Sequence, residues 1–213
     1  LPGMDGVLVA AGGLKPVKAN RAVLVGTALS PGLSSKKKDG TVVNTMWGEL
    51  AWQLLGAEGY KLLEDADVSG VSPGSDVLRE LFIKAAPSLT LIDEWVVFVR
   101  QLYNKDGLPA GSFDANLSFA QSLTEAARAV PNTLVVASIP SSDIEIGGEA
   151  GREVLARLRN IFSRMESAWR PASADESFEI VRRRLFQPVT ETNLFASRDA
   201  VCRAFSEYYR TQK

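Results

Sequence analysis

Histidine is absent from the 213 residues, and that absence excludes more chemistry than any other feature of the composition. Within this chain there is no Ser-His-Asp triad, no Cys-His pair and no His-liganded zinc. A single cysteine, Cys202, rules out an intrachain disulfide and fits a reducing compartment, so a cytoplasmic location is expected. No apolar run approaches the roughly 20 residues that cross a bilayer, and no signal peptide is visible, so no membrane is expected as a partner. Neither sign of charge is in excess, with 24 basic residues against 25 acidic ones. Such a balance gives no global pull toward nucleic acid or an anionic surface. What remains for chemistry is carboxylates, hydroxyls, lysine and arginine. Phosphoryl transfer is mostly positioning and electrostatics around a metal ion, and it suits that inventory.

The length allows one domain of ordinary size, or one plus a small appendage, with a real core. Short β-like runs alternate with longer helical ones. Ala22 to Thr27 reads as a buried strand, followed by a Ser-, Gly- and Lys-rich mobile loop from Ser30 to Gly40. Met46, Leu50, Trp52, Leu54 and Leu55 predict an amphipathic helix ending near Gly56. Ser75 reads as the N-cap of a second helix, which stops before Pro87. Leu89 to Asp93 is the next strand, and Trp95 to Tyr103 continues as a helix or helical turn. Asp114 to Val130 is the clearest amphipathic helix, ended by Pro131, and Thr133 to Ser138 is another buried strand. Beyond Gly151 the pattern turns helical, apart from a short strand around Glu166 to Trp169. Ser173 to Glu176 forms a capping box before a helix carrying Phe178, Ile180, Val181 and Leu185. A last helix, roughly Ser197 to Tyr209, places Cys202 among Ala200, Val201 and Phe205 as a core residue. Strands separated by helices imply crossover connections and a parallel sheet covered on both faces, an α/β sandwich.

The run Leu89-Thr90-Leu91-Ile92-Asp93, followed at once by Glu94, carries the most chemistry. A buried strand delivers the first carboxylate rigidly to the carboxyl edge of a parallel sheet, where it can hold magnesium or its water shell. The second carboxylate can then orient or deprotonate a water beside a γ-phosphate. The plainer reading of both is a pair of helix N-terminal acids stabilised by the helix dipole. The phosphate-cradling loop G-x-x-x-x-G-K-[ST] occurs nowhere in the chain. The chain opens with Leu1 and enters a Gly-rich apolar stretch to Gly13, so that loop is expected upstream in a longer polypeptide.

Taken together, Asp93-Glu94, Ser138 at the end of the following strand, Ile161-Phe162-Ser163-Arg164 and the Arg170 to Arg182 segment resemble an AAA+ P-loop ATPase entered after its P-loop. The strings Val25-Gly26-Thr27-Ala28-Leu29-Ser30, Leu50-Ala51-Trp52-Gln53-Leu54 and Gly111-Ser112-Phe113-Asp114-Ala115-Asn116-Leu117 are similar to one prokaryotic family in particular. That family comprises predicted AAA+-type ATPases filed as domain of unknown function 499. The resemblance implies an αβα sandwich over residues 1–170, lacking its P-loop strand, and a partial helical lid over 171–213. It implies Mg-ATP hydrolysis in the intact protein, with Asp93 holding magnesium and Glu94 activating water. Ser138 would sense the γ-phosphate. Arg164 would act in trans across a homo-oligomer, with Arg157 and Arg159 competing for that role. By genomic association, family members point to DNA-associated partners in modification or defence.

Each residue keeps a plainer alternative. Ser138 also reads as a simple strand-end hydroxyl, and Arg164 as a surface ion-pair partner. Lys36 to Lys38 and Arg182 to Arg184 read either as anion contacts or as solvated faces. A non-hydrolysing scaffold and a nucleic-acid-binding module are the competing functions, the second disfavoured by the near-neutral charge.

Overall fold

The computed structural model describes residues 4–13, 17–140, 148–163, 174–187 and 190–211. The chain divides into two compact units, Leu1–Glu166 and Ser167–Lys213. In order, the first holds α1 (Met4–Ala10), β1 (Asn20–Val25), β2 (Ser35–Lys36), β3 (Val42–Val43) and α2 (Met46–Ser69). It continues with α3 (Ser75–Ala85), β4 (Ser88–Asp93), α4 (Trp95–Arg100), α5 (Phe113–Ala129), β5 (Thr133–Ala137) and α6 (Gly148–Phe162). The second unit holds α7 (Ala174–Leu185) and α8 (Asn193–Thr211).

The first unit is α/β, a parallel three-stranded sheet flanked by helices, as expected for a sandwich. The strands lie in the order β1-β4-β5, with Val25 opposite Asp93 and Ile92 opposite Ala137. Both crossovers run the same way across the sheet, β1 to β4 to β5. Right-handed connection then sends their helices to one face. Ala22, Leu24 and Ile92 are buried there in one core cluster with residues of α2, α3, α4, α5 and α6. Among the described residues of this unit, those helices cover that face. On the other, among the described residues, Val23, Leu91, Leu134 and Val136 stand 50, 38, 58 and 45 % exposed.

Two glycines shape α2. Gly56 (φ 65°, ψ −148°) breaks the helix where the sequence predicts an end, and a second helical stretch follows at once. Asp67 accepts hydrogen bonds from the Asn44 and Thr45 amides, the Thr45 hydroxyl and the Tyr60 hydroxyl. A straight helix would hold Asp67 about 33 Å from Thr45 at 1.5 Å per residue. The break at Gly56 therefore folds α2 back on itself. Gly48 allows the close crossing, since a Cβ there would collide with the Asp67 carboxylate. Thr45, tied to Asp67, also caps the helix by accepting from the Gly48 amide at 3.0 Å.

Other expectations are corrected. Within the loop from Ser30 to Gly40, Ser35 and Lys36 pair with Val43 and Val42 in the β2–β3 hairpin, and Lys37 is not a solvated side chain. Its ammonium pairs with the buried Glu49 carboxylate and lies 4.9 Å from the centre of the Trp52 ring. Ser75 is the first residue of α3 rather than its N-cap, a place taken by Gly74. Cys202 is exposed, not core, because α8 buries none of its side chains. On α7, Arg182 and Arg183 are paired with Glu179 of the same helix. Those hydrogen bonds, Arg182 first, hold the Glu179 carboxyl down at about 2. The strand expected around 166–169, the Ser173 N-cap and the linker at Pro188 lie outside the described residues. Among the described residues no helix is long and apolar enough to cross a membrane.

Candidate functional site

Alternation along β4 buries Ser88, Thr90 and Ile92 and brings Asp93 out at the carboxyl end of the central strand. The ladder runs on past the strand on both sides. The Gly26 amide donates to the Asp93 carbonyl at 2.8 Å, and the Ser138 amide donates to the Ile92 carbonyl at 2.9 Å. Asp93 is thus pinned between the ends of β1 and β5. The Ser138 hydroxyl donates to Asp93 Oδ1 at 2.5 Å. The Glu94 amide donates to the same Oδ1 at 3.0 Å and to Ser138 Oγ at 3.4 Å.

Glu94 is the N-cap of α4, yet its side chain makes no capping bond, and its backbone is left-handed at φ 55° and ψ 33°. A non-glycine residue there is uncommon and costs free energy, so its surroundings must hold it. They do so through Trp95, which is buried with ring centroids 6.1 Å from Phe119 and 5.8 Å from Phe162. Trp95 is anchored inward while Glu94 is exposed, and the Glu94 backbone amide lies against Asp93 and Ser138 at the sheet edge.

The structure thus brings together three of the four residues singled out in the sequence. Arg164 lies outside the described residues. Of its competitors, Arg157 pairs with Glu153 at 2.7 Å and Asp114 at 3.1 Å, and the Glu153 hydrogen bond foremost raises its pKa. Arg159 donates to the Pro140 carbonyl at 3.0 Å, tying α6 to the segment just past Ser138.

Magnesium keeps most of its water and is commonly held by one or two carboxylates plus substrate phosphates. One carboxylate joined to a hydroxyl fits that habit. Among the described residues no group of three or more Asp, Glu, His or Cys could hold a metal by protein atoms alone. Sequence reasoning assigned no role to Gly26, which lies against Glu94. The available signal was a glycine directly after an apolar strand. It also passed over Gln53, whose amide accepts from the Val23 N–H at 2.7 Å and donates to the Val23 carbonyl at 3.0 Å. Gln53 thereby satisfies the backbone groups of Val23 on the outer edge of β1.

No curated protein and no solved structure matches the chain. Residues 14–169, most of the chain and all the described site residues, match the family described as DUF499 N-terminal domain. On that match the chain belongs to the DUF499 N-terminal domain family.

Proposed function

We propose that this chain supplies the metal- and water-handling side of an ATP-hydrolysing site. The observation that carries the reading is the Asp93–Ser138 hydrogen bond at the carboxyl edge of adjacent parallel strands, bridged by the Glu94 amide. In that reading Asp93, steadied by Ser138, holds magnesium through its water shell. The metal neutralises charge on the phosphates when bound. Glu94 accepts a hydrogen bond from the attacking water and takes its proton as the oxygen bonds to the γ-phosphorus and the bond to ADP breaks. In the same reading Ser138, hydrogen-bonded to Asp93, reports the loss of the γ-phosphate.

The phosphate loop is not among the 213 residues, so tight ATP binding requires a segment beyond them. The proposal extends to a homo-oligomer in which Arg164 reaches the nucleotide of a neighbouring copy, supported by the Ile161 to Arg164 string. The test is ATP hydrolysis by the intact polypeptide that carries this chain, beside its Glu94→Gln variant. Loss of about a hundredfold or more in kcat with Glu94→Gln is expected. Equal rates would remove Glu94 from catalysis. No hydrolysis by the intact protein would favour a non-hydrolysing scaffold.

A further inference from the structure

Gly26 follows β1 directly, and its backbone does not have the positive φ found at eight other glycines among the described residues, so conformational freedom is not why a glycine stands there. Space is the reason. A Cβ at Gly26 would overlap the Glu94 carbonyl oxygen, lie 2.8 Å from the Glu94 carbonyl carbon and 3.1 Å from Phe98 Cβ. Two of those atoms are backbone and the third belongs to a buried side chain, so none can swing aside as the tip of a long side chain would.

The Glu94 carbonyl is also committed elsewhere. It accepts the Phe98 amide at 3.2 Å, the bond that opens α4. On its other side the Glu94 amide is held by Asp93 Oδ1 and Ser138 Oγ. The left-handed Glu94 is therefore clamped at both its N–H and its C=O, and the gap left by Gly26 is what allows the second clamp.

We propose that Gly26 is a positioning residue for Glu94: its missing side chain lets the Glu94 carbonyl lie against the end of β1 and so sets the direction in which the Glu94 carboxylate leaves the sheet. The inference rests on the reading of Asp93 and Glu94 as the catalytic pair. A misplacement of about 1 Å in such a group costs roughly a hundredfold in rate.

Two measurements on Gly26→Ala test it. The first is amide hydrogen exchange in the 213-residue chain. Exchange at the Phe98 amide is expected to rise about tenfold while Thr90 and Ile92, inside β4, keep their protection. An unchanged Phe98 amide would overturn the clamp. If all β4 amides accelerate together, Gly26 is a requirement of the fold and the positioning role falls. The second is ATP hydrolysis by the intact polypeptide, comparing wild type, Gly26→Ala, Glu94→Gln and the double variant. Gly26→Ala is expected to lower kcat about a hundredfold with KM changed less than about twofold. The double variant is expected to be no slower than Glu94→Gln, because both act through one carboxylate. A double variant slower by the product of the two single effects would overturn the proposal. Equal rates for wild type and Glu94→Gln would sink the catalytic reading of Glu94, and the exchange experiment would still report whether the clamp exists.

Discussion

The two faces of the sheet are made of the same kinds of residue and meet different fates. On one, Ala22, Leu24 and Ile92 lie beneath a continuous helical core. On the other, in alternate positions of the same strands, Val23, Leu91, Leu134 and Val136 are left partly exposed among the described residues. Strand composition alone does not distinguish them, because parallel strands read as continuous apolar runs when both faces are meant to be covered. The direction of the crossovers does. A chain that moves from β1 to β4 to β5 with right-handed connections piles its helices on one side. The difference teaches that apolar patterning states what a face needs, and topology decides which face receives it.

The largest expected effect that sharpens this contrast is Leu24→Ala on the packed face. Leu24 is fully buried, and its truncation should cost about 3 kcal/mol in chemical denaturation, from lost transfer energy and the cavity left behind. Next is Tyr60→Phe, in the folded-back helix that covers that face. The Tyr60 hydroxyl donates to Asp67 at 2.9 Å, and its loss should cost about 1.5 kcal/mol. Burial first, and then that hydrogen bond, push the Tyr60 pKa well above its ordinary value of 10.0. A group whose folded pKa is raised contributes stability that is complete below the unfolded pKa and lost as pH rises above it. Wild-type denaturation midpoints should therefore fall above pH 10 more steeply than those of Tyr60→Phe.

Thr90→Val should act in the opposite direction. Thr90 is fully buried in β4, and its hydroxyl has no hydrogen-bond partner. Replacing it by a methyl of similar shape should raise stability by about 1 kcal/mol, read as a higher denaturation midpoint. The smallest effect is on the more exposed face. Leu134→Ala should change stability by less than about 0.5 kcal/mol. If it costs as much as Leu24→Ala, the two faces are not different in the way the structure shows.

Much of the fold was legible in local patterns. Strands at Ala22 to Val25, Leu89 to Asp93 and Thr133 to Ala137 announce themselves as apolar runs, and each pairs as a parallel neighbour. The helix of Phe113–Ala129 carries its own cap, since Ser112 accepts from the Ala115 amide at 3.0 Å, and it stops before Pro131. The site was legible for a related reason. Carboxyl ends of adjacent parallel strands share one edge, so Asp93 and Ser138, 45 residues apart, were bound to meet once the strands paired. The Lys37–Glu49 ion pair was not legible, because Lys37 sits in a polar run that looks solvated until the hairpin lays it on α2. Cys202 misled for the converse reason: apolar neighbours at helical spacing promised a core that α8 does not have.

By itself the sequence determined which chemistry is available, where the three sheet strands and the helix of Phe113–Ala129 lie to within about two residues, and that two carboxylates leave the end of a buried strand. These are properties of neighbouring residues, settled by periodicity, caps and side-chain type. Only the tertiary structure decided that Gly56 folds α2 back so that Asp67 reaches Thr45, that the described helices of the first unit pack over Ala22, Leu24 and Ile92, and that Gly26 opens the space filled by the Glu94 carbonyl. Each depends on atoms brought together from distant parts of the chain, where handedness and close packing, rather than local propensity, choose the partner.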